Sequence, residues 1–114
     1  HDIEPTVIGA PADALVIVDC ITLWVSNLMW RGDDDAQVGR CAESLANAAR
    51  GASAKVVVVT NEVGLGVHPE TELGRRYRDL LGQVNRTLVD ASDRAFLLVA
   101  GRPIPLPRVE DVQP

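Results

Sequence analysis

A run of valines that ends abruptly in polar residues constrains this chain more than any other feature. Residues 55–66 read KVVVVTNEVGLG, so four apolar β-formers are followed by Thr60, Asn61, Glu62 and a glycine-spaced turn. A short continuous apolar run bounded by turn signals is typical of a strand in a buried parallel sheet. Ligands of open α/β sheets bind just beyond the carboxyl ends of such strands. The sequence therefore predicts that these three polar side chains stand at a binding site.

A second strand is predicted over residues 15–20, buried on both faces as parallel strands usually are, and it also ends in a polar residue. Its apolar run leads to Asp19, and a carboxylate at a strand tip can hold Mg²⁺ against nucleotide phosphates. The alternative is that Asp19 caps a helix that begins near Ile21. Both interpretations stay open, because the chain has no G-x-x-x-x-G-K-[ST] phosphate loop and its only lysine is Lys55.

The rest of the pattern alternates between helix and strand. Apolar residues three and four apart predict a helix over residues 21–30, a second after the acidic run 33–35 and a third opened by Pro69. On these helices, Trp24, Trp30 and Tyr77 are expected to be packing groups rather than a stacking platform. A third strand is predicted over residues 95–100. This order predicts an α/β fold, with a mostly parallel sheet, right-handed crossovers and flanking helices.

The two ends of the chain carry weaker patterns. Residues 1–13 hold two prolines and a glycine and are expected to form an irregular lead-in. Residues 102–114 carry three prolines in alternation, which predicts an extended tail without a ladder or a helix. The length of 114 residues fits a single α/β domain, or part of one.

Composition excludes several classes of function. A formal net charge of −5 argues against a nucleic-acid surface, which needs clustered lysine and arginine. No apolar run approaches the roughly 20 residues that span a bilayer. Two cysteines make neither a disulfide framework nor a zinc-ligand pattern. The sequence therefore predicts a cytoplasmic protein that binds neither nucleic acid nor membrane.

The polar residues after the valine run have two interpretations each. Glu62 is a candidate general base, or a metal ligand through water, and Asn61 stands beside it. The alternative for both is a loop side chain bonded to nearby backbone amides. Arginines 75, 76 and 78 can grip phosphate, or they can pair with acids at helical spacing, namely Glu70, Glu72 and Asp79.

Three consecutive segments carry a family resemblance. Residues 18–28, 59–70 and 73–85 read VDCITLWVSNL, VTNEVGLGVHPE and LGRRYRDLLGQVN. In this order they closely resemble the bifunctional adenosylcobinamide kinase and adenosylcobinamide-phosphate guanylyltransferase family of cobalamin biosynthesis. The resemblance runs from residue 15 to residue 104 and corresponds to the carboxyl-terminal two-thirds of that family.

The resemblance implies a P-loop NTPase-like (RecA-like) enzyme. Such an enzyme phosphorylates adenosylcobinamide with ATP or GTP, then transfers GMP from GTP through a guanylylated histidine to give adenosylcobinamide-GDP. It implies Mg²⁺ bound with the nucleotide, and a homotrimer.

The resemblance also assigns residues to the site. Asp19 matches a metal-binding acid at a nucleotide-binding strand, and residues 60–62 match the family's Thr-Asn-Glu motif. On that match Thr60 contacts nucleotide, while Asn61 and Glu62 are catalytic. Arg75 and Glu4 are further nucleotide contacts. The role of Asn85, which matches a recurrent position, stays open.

The resemblance also leaves parts of the family out. Its phosphate loop and its histidine lie upstream of the matched segments, and His1 does not match that histidine. We therefore expect either a fragment that lacks the N-terminal part, with an apolar sheet edge exposed, or a natural short relative without either activity. The alternative function is a non-catalytic α/β module that binds a nucleotide or a partner. Acids gathered at a strand rim favour the enzyme.

Overall fold

The chain alternates strands and helices along most of its length. The structure is a computed structural model, and it describes residues 2–112. Its elements are α1 (Glu4–Gly9), β1 (Leu15–Asp19), α2 (Ile21–Arg31), α3 (Asp35–Gly51), β2 (Lys55–Val59), α4 (Glu72–Ala91), β3 (Phe96–Val99), β4 (Arg102–Pro105) and a short 3-10 turn (Val109–Asp111). The predicted strands at residues 15 and 55 and the three predicted helices are confirmed.

Strands β1 and β2 pair in parallel, and this pairing fixes the geometry of the molecule. The ladder runs without interruption from Leu15 opposite Lys55 to Asp19 opposite Val59. Parallel strands need a crossover connection, and helices α2 and α3 supply it. Because the register is level, the two strands end at the same edge of the sheet.

The helices cover one face of this sheet. Alternate strand residues point inward, and the valines at positions 16, 18, 56 and 58 pack partly buried against the helices. The fully buried side chains come from all four helices: Val7, Ile21, Val25, Leu28, Val38, Leu45, Leu81 and Val84. Helix α4 packs against α2 and α3, and α1 packs against α3. The core is therefore a single helical layer on a narrow sheet.

The opposite face of the sheet is exposed, and the prediction that β1 is buried on both faces is wrong. Leu15 and Ile17 are 58% and 59% exposed, and Val57 and Val59 are 46% and 40% exposed. Parallel sheets normally carry helices on both faces. Within residues 2–112 the helices lie on one face only, so the apolar pattern suited to a second covering layer meets solvent.

A loop between α2 and α3 connects three helices through charged groups. Arg31, at the end of α2, donates two hydrogen bonds to the buried Asp33 carboxylate at 2.9 and 2.6 Å. Arg76 of α4 donates to the Asp33 carbonyl oxygen at 2.9 Å and to the Asp35 carboxylate at 2.8 Å. The acidic run therefore anchors α4 and starts α3, whose first turn is closed by a capping box at Asp34.

The third strand does not join the parallel sheet, which corrects the predicted topology. Strand β3 pairs antiparallel with β4 in a separate two-stranded sheet. The connection is the two-residue turn Ala100-Gly101, with φ of 52° and 75°, and positive φ at both positions is typical of a tight hairpin turn. The hairpin forms locally, so β3 takes its partner from the next residues of the chain.

The prediction that the prolines prevent a ladder is also wrong. Pro103 faces Leu98 and Pro105 faces Phe96, at alternate positions of the ladder. In an antiparallel pair, hydrogen-bonded and non-bonded positions alternate, so both proline nitrogens fall where no donor is needed. The next bonded position follows this pattern, because the Leu106 N–H donates to the Ala95 carbonyl at 3.0 Å.

The predicted irregular lead-in contains a short helix. Helix α1 spans Glu4–Gly9 and has Pro5 in its first turn, where the missing N–H of proline costs nothing. Val7 is fully buried against the core and explains why this segment is ordered. His1 lies outside the described residues. Among residues 2–112 there is no helix long and apolar enough to cross a membrane.

The exposed sheet face predicts self-association of the 114-residue chain. Replacing the facing pair Ile17 and Val57 by threonine should raise the monomeric fraction, since it removes apolar surface and keeps β-branched side chains. Sedimentation velocity over a concentration series measures this. Val67→Thr, in an exposed loop, is the matched control and should leave self-association unchanged. A wild-type chain that stays monomeric at high concentration would contradict the prediction.

The Arg31–Asp33 pair predicts a pH-dependent stability. Hydrogen bonds from Arg31 lower the pKa of Asp33 below its usual value, so the folded state favours the carboxylate. The stabilisation is complete above the unfolded pKa of about 3.9 and is lost as pH falls through the lower folded pKa. Asp33→Asn should therefore reduce the free energy of unfolding at pH 7, and the difference from wild type should shrink below about pH 4.

Urea unfolding at several pH values measures this difference. Asp93→Asn, which removes the same charge from an exposed position, is the control. A difference between Asp33→Asn and wild type that is constant from pH 7 to pH 3 would show that the ion pair is not its origin.

Candidate functional site

The candidate site is the edge where β1 and β2 end. Asp19 is the last residue of β1, and its partner in the ladder, Val59, directly precedes Thr60. Asp19 is exposed, and no other part of residues 2–112 supplies its carboxylate with a hydrogen bond or an ion pair. Its two carboxylate oxygens are therefore open to a ligand. The peptide bond that follows Asp19 is cis.

The alternative role of Asp19, capping α2, is wrong. The N-cap position of α2 is Cys20, and no side chain caps the helix there. A carboxylate one residue earlier, at the end of an extended strand, does not reach the first turn's N–H groups in this structure. The interpretation of Asp19 as a metal ligand stays a prediction.

The tip of β2 is held by one side chain of α4. The Thr60 hydroxyl donates to Asn85 Oδ1 at 2.6 Å, and Asn85 Nδ2 donates to the Asn61 carbonyl oxygen at 2.9 Å. Both groups of the Asn85 amide are used, each in its proper role, on two consecutive residues of the tip. The structure thus gives Asn85 a contact with the candidate site, which its position in the sequence did not provide.

These two hydrogen bonds leave a specific set of atoms free at the edge. The proton of the Thr60 hydroxyl points towards α4, so the remaining lone pairs of that oxygen can accept a donor or meet a cation. The Asn61 side chain is exposed and, within the described residues, makes no hydrogen bond of its own. The edge therefore presents oxygen atoms next to Asp19.

Glu62 begins the glycine-spaced turn and is bonded to it. Its Oε1 accepts the Gly64 N–H at 2.7 Å, so the predicted alternative, a loop carboxylate bonded to a backbone amide, is confirmed. A β-carbon at Gly64 would lie 2.9 Å from this oxygen, so a larger residue there would require the exposed Glu62 carboxylate to shift. Glu62 is exposed and its second carboxylate oxygen has no partner among residues 2–112. Its role as a base stays a prediction.

The three arginines of α4 have separate structural partners. Arg75 donates to the carbonyl oxygens of Pro69 and Glu70, at 3.1 and 3.0 Å, and so fixes the loop before the helix. Arg78 contacts Asp79 and, at 2.6 Å, His68 Nδ1. Because a guanidinium group only donates, His68 Nδ1 is the acceptor in this contact.

The predicted pairing of these arginines with acids at helical spacing is mostly wrong. Arg76 reaches across to Asp35, and Arg78 pairs with its neighbour Asp79. Neither Glu70 nor Glu72 offers its carboxylate to an arginine within residues 2–112. The Arg75 guanidinium keeps donors without a partner in the same range, so its predicted contact with nucleotide stays a prediction.

A second side chain of α4 braces the segment that follows β1. The Tyr77 hydroxyl donates to the Thr22 carbonyl oxygen at 3.0 Å, in the first turn of α2. Burial raises the pKa of Tyr77, and the nearby Cys20 thiol adds to the shift, so the phenol stays protonated and able to donate. Tyr77 therefore holds the backbone three residues after Asp19.

Two further predictions about side chains have mixed outcomes. Glu4 lies in the first turn of α1, which packs against α3, and the described residues give it no bond to the strand tips. Its predicted contact with nucleotide gains no support from this position. Trp24 is buried, as expected of a packing group, but Trp30 is 92% exposed, so its predicted packing role is wrong.

Asn85 was not assigned a role from the sequence, and Tyr77 was expected only to be a packing group, which its place against the core confirms. The available signal was position, because Asn85 falls four residues after Leu81 and eight after Tyr77, within the stripe of α4 that packs inward. A polar residue in an apolar stripe needs a partner. The pattern therefore indicates a buried hydrogen bond, but it does not name the partner on β2.

The surface grooves between α3 and α4 lie away from the strand tips. Two open grooves of about 370 and 220 Å³ run between α3 and α4, and residues such as Asn47, Arg50 and Gln83 line them. None of the strand-tip residues contributes to either groove. Within the described chain the candidate site is therefore an exposed edge and not an enclosed pocket.

Comparison with known proteins identifies the family of this chain. Residues 1–106 match the family described as cobinamide kinase / cobinamide phosphate guanyltransferase. The bifunctional adenosylcobalamin biosynthesis protein CobU of Salmonella typhimurium is 40% identical over 104 residues, which are 81% of this chain and 57% of that protein. The protein of the same name in Escherichia coli is 37% identical over 76% of this chain and 55% of its own length.

A third relative agrees with these two. The bifunctional adenosylcobalamin biosynthesis protein CobP of Pseudomonas aeruginosa is 37% identical over 97 residues, which are 85% of this chain and 56% of its own length. The chain thus spans little more than half of the curated relatives that it matches, less than the two-thirds expected from the resemblance. The extent of the family match shows that this α/β chain belongs to the cobinamide kinase / cobinamide phosphate guanyltransferase family.

Proposed function

We propose that this chain is part of a transferase of cobalamin biosynthesis. The proposed enzyme phosphorylates adenosylcobinamide with ATP or GTP and then transfers GMP from GTP to the phosphate, giving adenosylcobinamide-GDP. Three relatives of this chain are named as bifunctional adenosylcobalamin biosynthesis proteins, and this supports the assignment. The proposal includes a P-loop NTPase-like (RecA-like) fold, a homotrimer and a cytoplasmic location for the whole protein.

The observation that carries this proposal is that β1 and β2 pair without a shift and end at the same edge of the sheet. An in-register parallel pair brings Asp19 beside the Thr60–Glu62 segment, at the carboxyl edge where α/β sheets bind ligands. Exposed acids gathered at such an edge do not serve the packing of the core. The arrangement is suited to a nucleotide with its metal.

The oxygen atoms at this edge fit Mg²⁺. In proteins Mg²⁺ is held by one or two carboxylates together with substrate phosphates and waters. No cluster of three or more acids, histidines or cysteines able to hold a metal occurs within residues 2–112, so Asp19 would be the protein's charged ligand, with the Thr60 hydroxyl oxygen nearby. When bound, Mg²⁺ neutralises charge on the transferred phosphoryl group.

Glu62 and Asn61 are the proposed catalytic residues. The free carboxylate oxygen of Glu62 can accept the proton of the attacking hydroxyl of the corrinoid, while its other oxygen stays bonded to Gly64 N–H. That bond limits rotation of the carboxylate, so one oxygen is held outward. The Asn61 amide, exposed beside it, can donate to a phosphate oxygen.

Two further residues are proposed as nucleotide contacts. The unpartnered donors of Arg75 are suited to phosphate, although two of its hydrogen bonds already go to the loop backbone. Glu4 is proposed as a nucleotide contact on the family resemblance alone.

The alternative function, a non-catalytic module that binds a nucleotide or a partner, would show binding of nucleotide without turnover of the corrinoid.

The proposal predicts that Asp19→Asn weakens the dependence on magnesium. The substitution keeps the shape of the side chain and removes its charge, so the fold should persist while the apparent affinity for Mg²⁺ falls about tenfold or more, as expected for a lost charged contact. The measurement is phosphoryl transfer to adenosylcobinamide during a Mg²⁺ titration, made with the protein that the complete gene encodes.

A matched control lies just outside the other end of β1. Asp13 is an exposed acid just before the amino end of β1, so Asp13→Asn removes the same charge at the opposite edge of the sheet. It should leave the magnesium titration unchanged. Identical titration curves for Asp19→Asn and wild type would end the assignment of Asp19 as metal ligand.

A further inference from the structure

We propose that Asn85 is a positioning residue that sets the geometry of the Thr60–Glu62 segment during the reaction. This inference rests on the proposed function, because it concerns the residues that the proposed reaction uses. Asn85 lies on α4, 24 residues from Asn61 in the sequence, and its amide reaches the strand tip with both of its polar groups. Its role is to hold those residues in place without touching the substrate.

The geometry of the contact determines the orientation of the Asn85 amide. A backbone carbonyl only accepts hydrogen bonds, so the group that faces Asn61 must be the amide nitrogen. The amide oxygen then faces Thr60, and the hydroxyl is the donor to it at 2.6 Å. In the flipped orientation the amide oxygen would face the Asn61 carbonyl oxygen and that hydrogen bond would be lost, so the bond to Asn61 sets the orientation of the amide.

The bond to Asn61 controls the direction of Glu62. The carbonyl of Asn61 belongs to the planar peptide unit that joins it to Glu62. Holding that carbonyl towards α4 fixes the plane of the unit, and thereby the direction in which the next residue leaves the strand. Residues 60–71 form no strand or helix, so the sheet ladder gives this segment no support beyond Val59.

The position of Asn85 is itself rigid. Its neighbours on α4, Leu81 and Val84, are fully buried in the core, and Leu88 packs partly buried against it. The helix is anchored at its other end by Arg76 to the loop before α3. The two hydrogen bonds of Asn85 to Thr60 and Asn61, here named the Asn85 clamp, therefore hold the exposed edge in a fixed position relative to the core.

Asn85→Ala should lower kcat about 10²-fold, since small displacements of catalytic groups cost about this much. The KM for nucleotide should change much less, because Asn85 makes no contact with the nucleotide in this account. Gln83→Ala is the matched control, as Gln83 is an exposed amide on the same helix, and it should leave kcat unchanged. The assay uses the protein encoded by the complete gene, with adenosylcobinamide and GTP.

Two further variants separate the halves of the clamp. Asn85→Asp keeps an acceptor for the Thr60 hydroxyl but places an oxygen opposite the Asn61 carbonyl, so kcat should stay low if the peptide plane is what matters. Thr60→Val removes the hydroxyl, and its effect should be smaller in Asn85→Ala than in wild type, because the bond between the two is already lost.

Hydrogen exchange separates the positioning role from a purely structural one. If Asn85 is a positioning residue, the amides of residues 61–64 should exchange faster in Asn85→Ala but not in Gln83→Ala, while amides in the middle of α4 exchange as in wild type. A loss of kcat that merely follows a fall in Tm, and is recovered on cooling, would overturn the positioning role.

The remaining outcomes separate the inference from the function on which it rests. If the wild-type protein turns over adenosylcobinamide and Asn85→Ala matches Gln83→Ala in kcat, the positioning role is wrong and the proposed function stands. If the wild-type protein does not act on adenosylcobinamide with ATP or GTP, the proposed function fails and the inference fails with it.

Discussion

The register of the parallel pair β1 and β2 determines where the helices pack and which side chains meet at the candidate site. It brings the end of one strand, Asp19, beside the start of the loop that follows the other, Thr60. A shift of one residue in either strand would turn the inward valines to solvent and the outward residues to the core. The same register therefore sets both the packing of the helices and the composition of the edge.

The sheet is narrow, and α4 compensates for this at the site. Both polar side chains that this helix directs to the strand ends, Tyr77 and Asn85, bond to backbone or side-chain groups just beyond the ladder. Thr22 and Asn61 are thereby held by a helix that is anchored in the core. The match covers only 57% of the length of the Salmonella relative, and the outer face of the sheet is apolar and exposed.

Much of the fold, but less of the site, follows from the sequence. The valine run and the Leu15–Asp19 run identify both strands, because a short apolar stretch bounded by polar and turn residues is typical of a buried strand. The partner of β3 was predicted incorrectly, because the positive φ of Ala100 and Gly101 and the alternation of Pro103 and Pro105 favour a local hairpin. The Asn85 clamp depends on contact between distant residues, which periodicity does not encode.

We propose that the carboxyl edge of β1 and β2 binds a metal-nucleotide complex. Crystals of the protein encoded by the complete gene, grown with Mn²⁺ and GTP, would test it through the anomalous scattering of manganese. The account predicts a manganese peak at coordinating distance, about 2.1 Å, from an Asp19 carboxylate oxygen, with the phosphates beside Thr60. A manganese–GTP complex bound away from this edge, with Asp19 solvated, would contradict it.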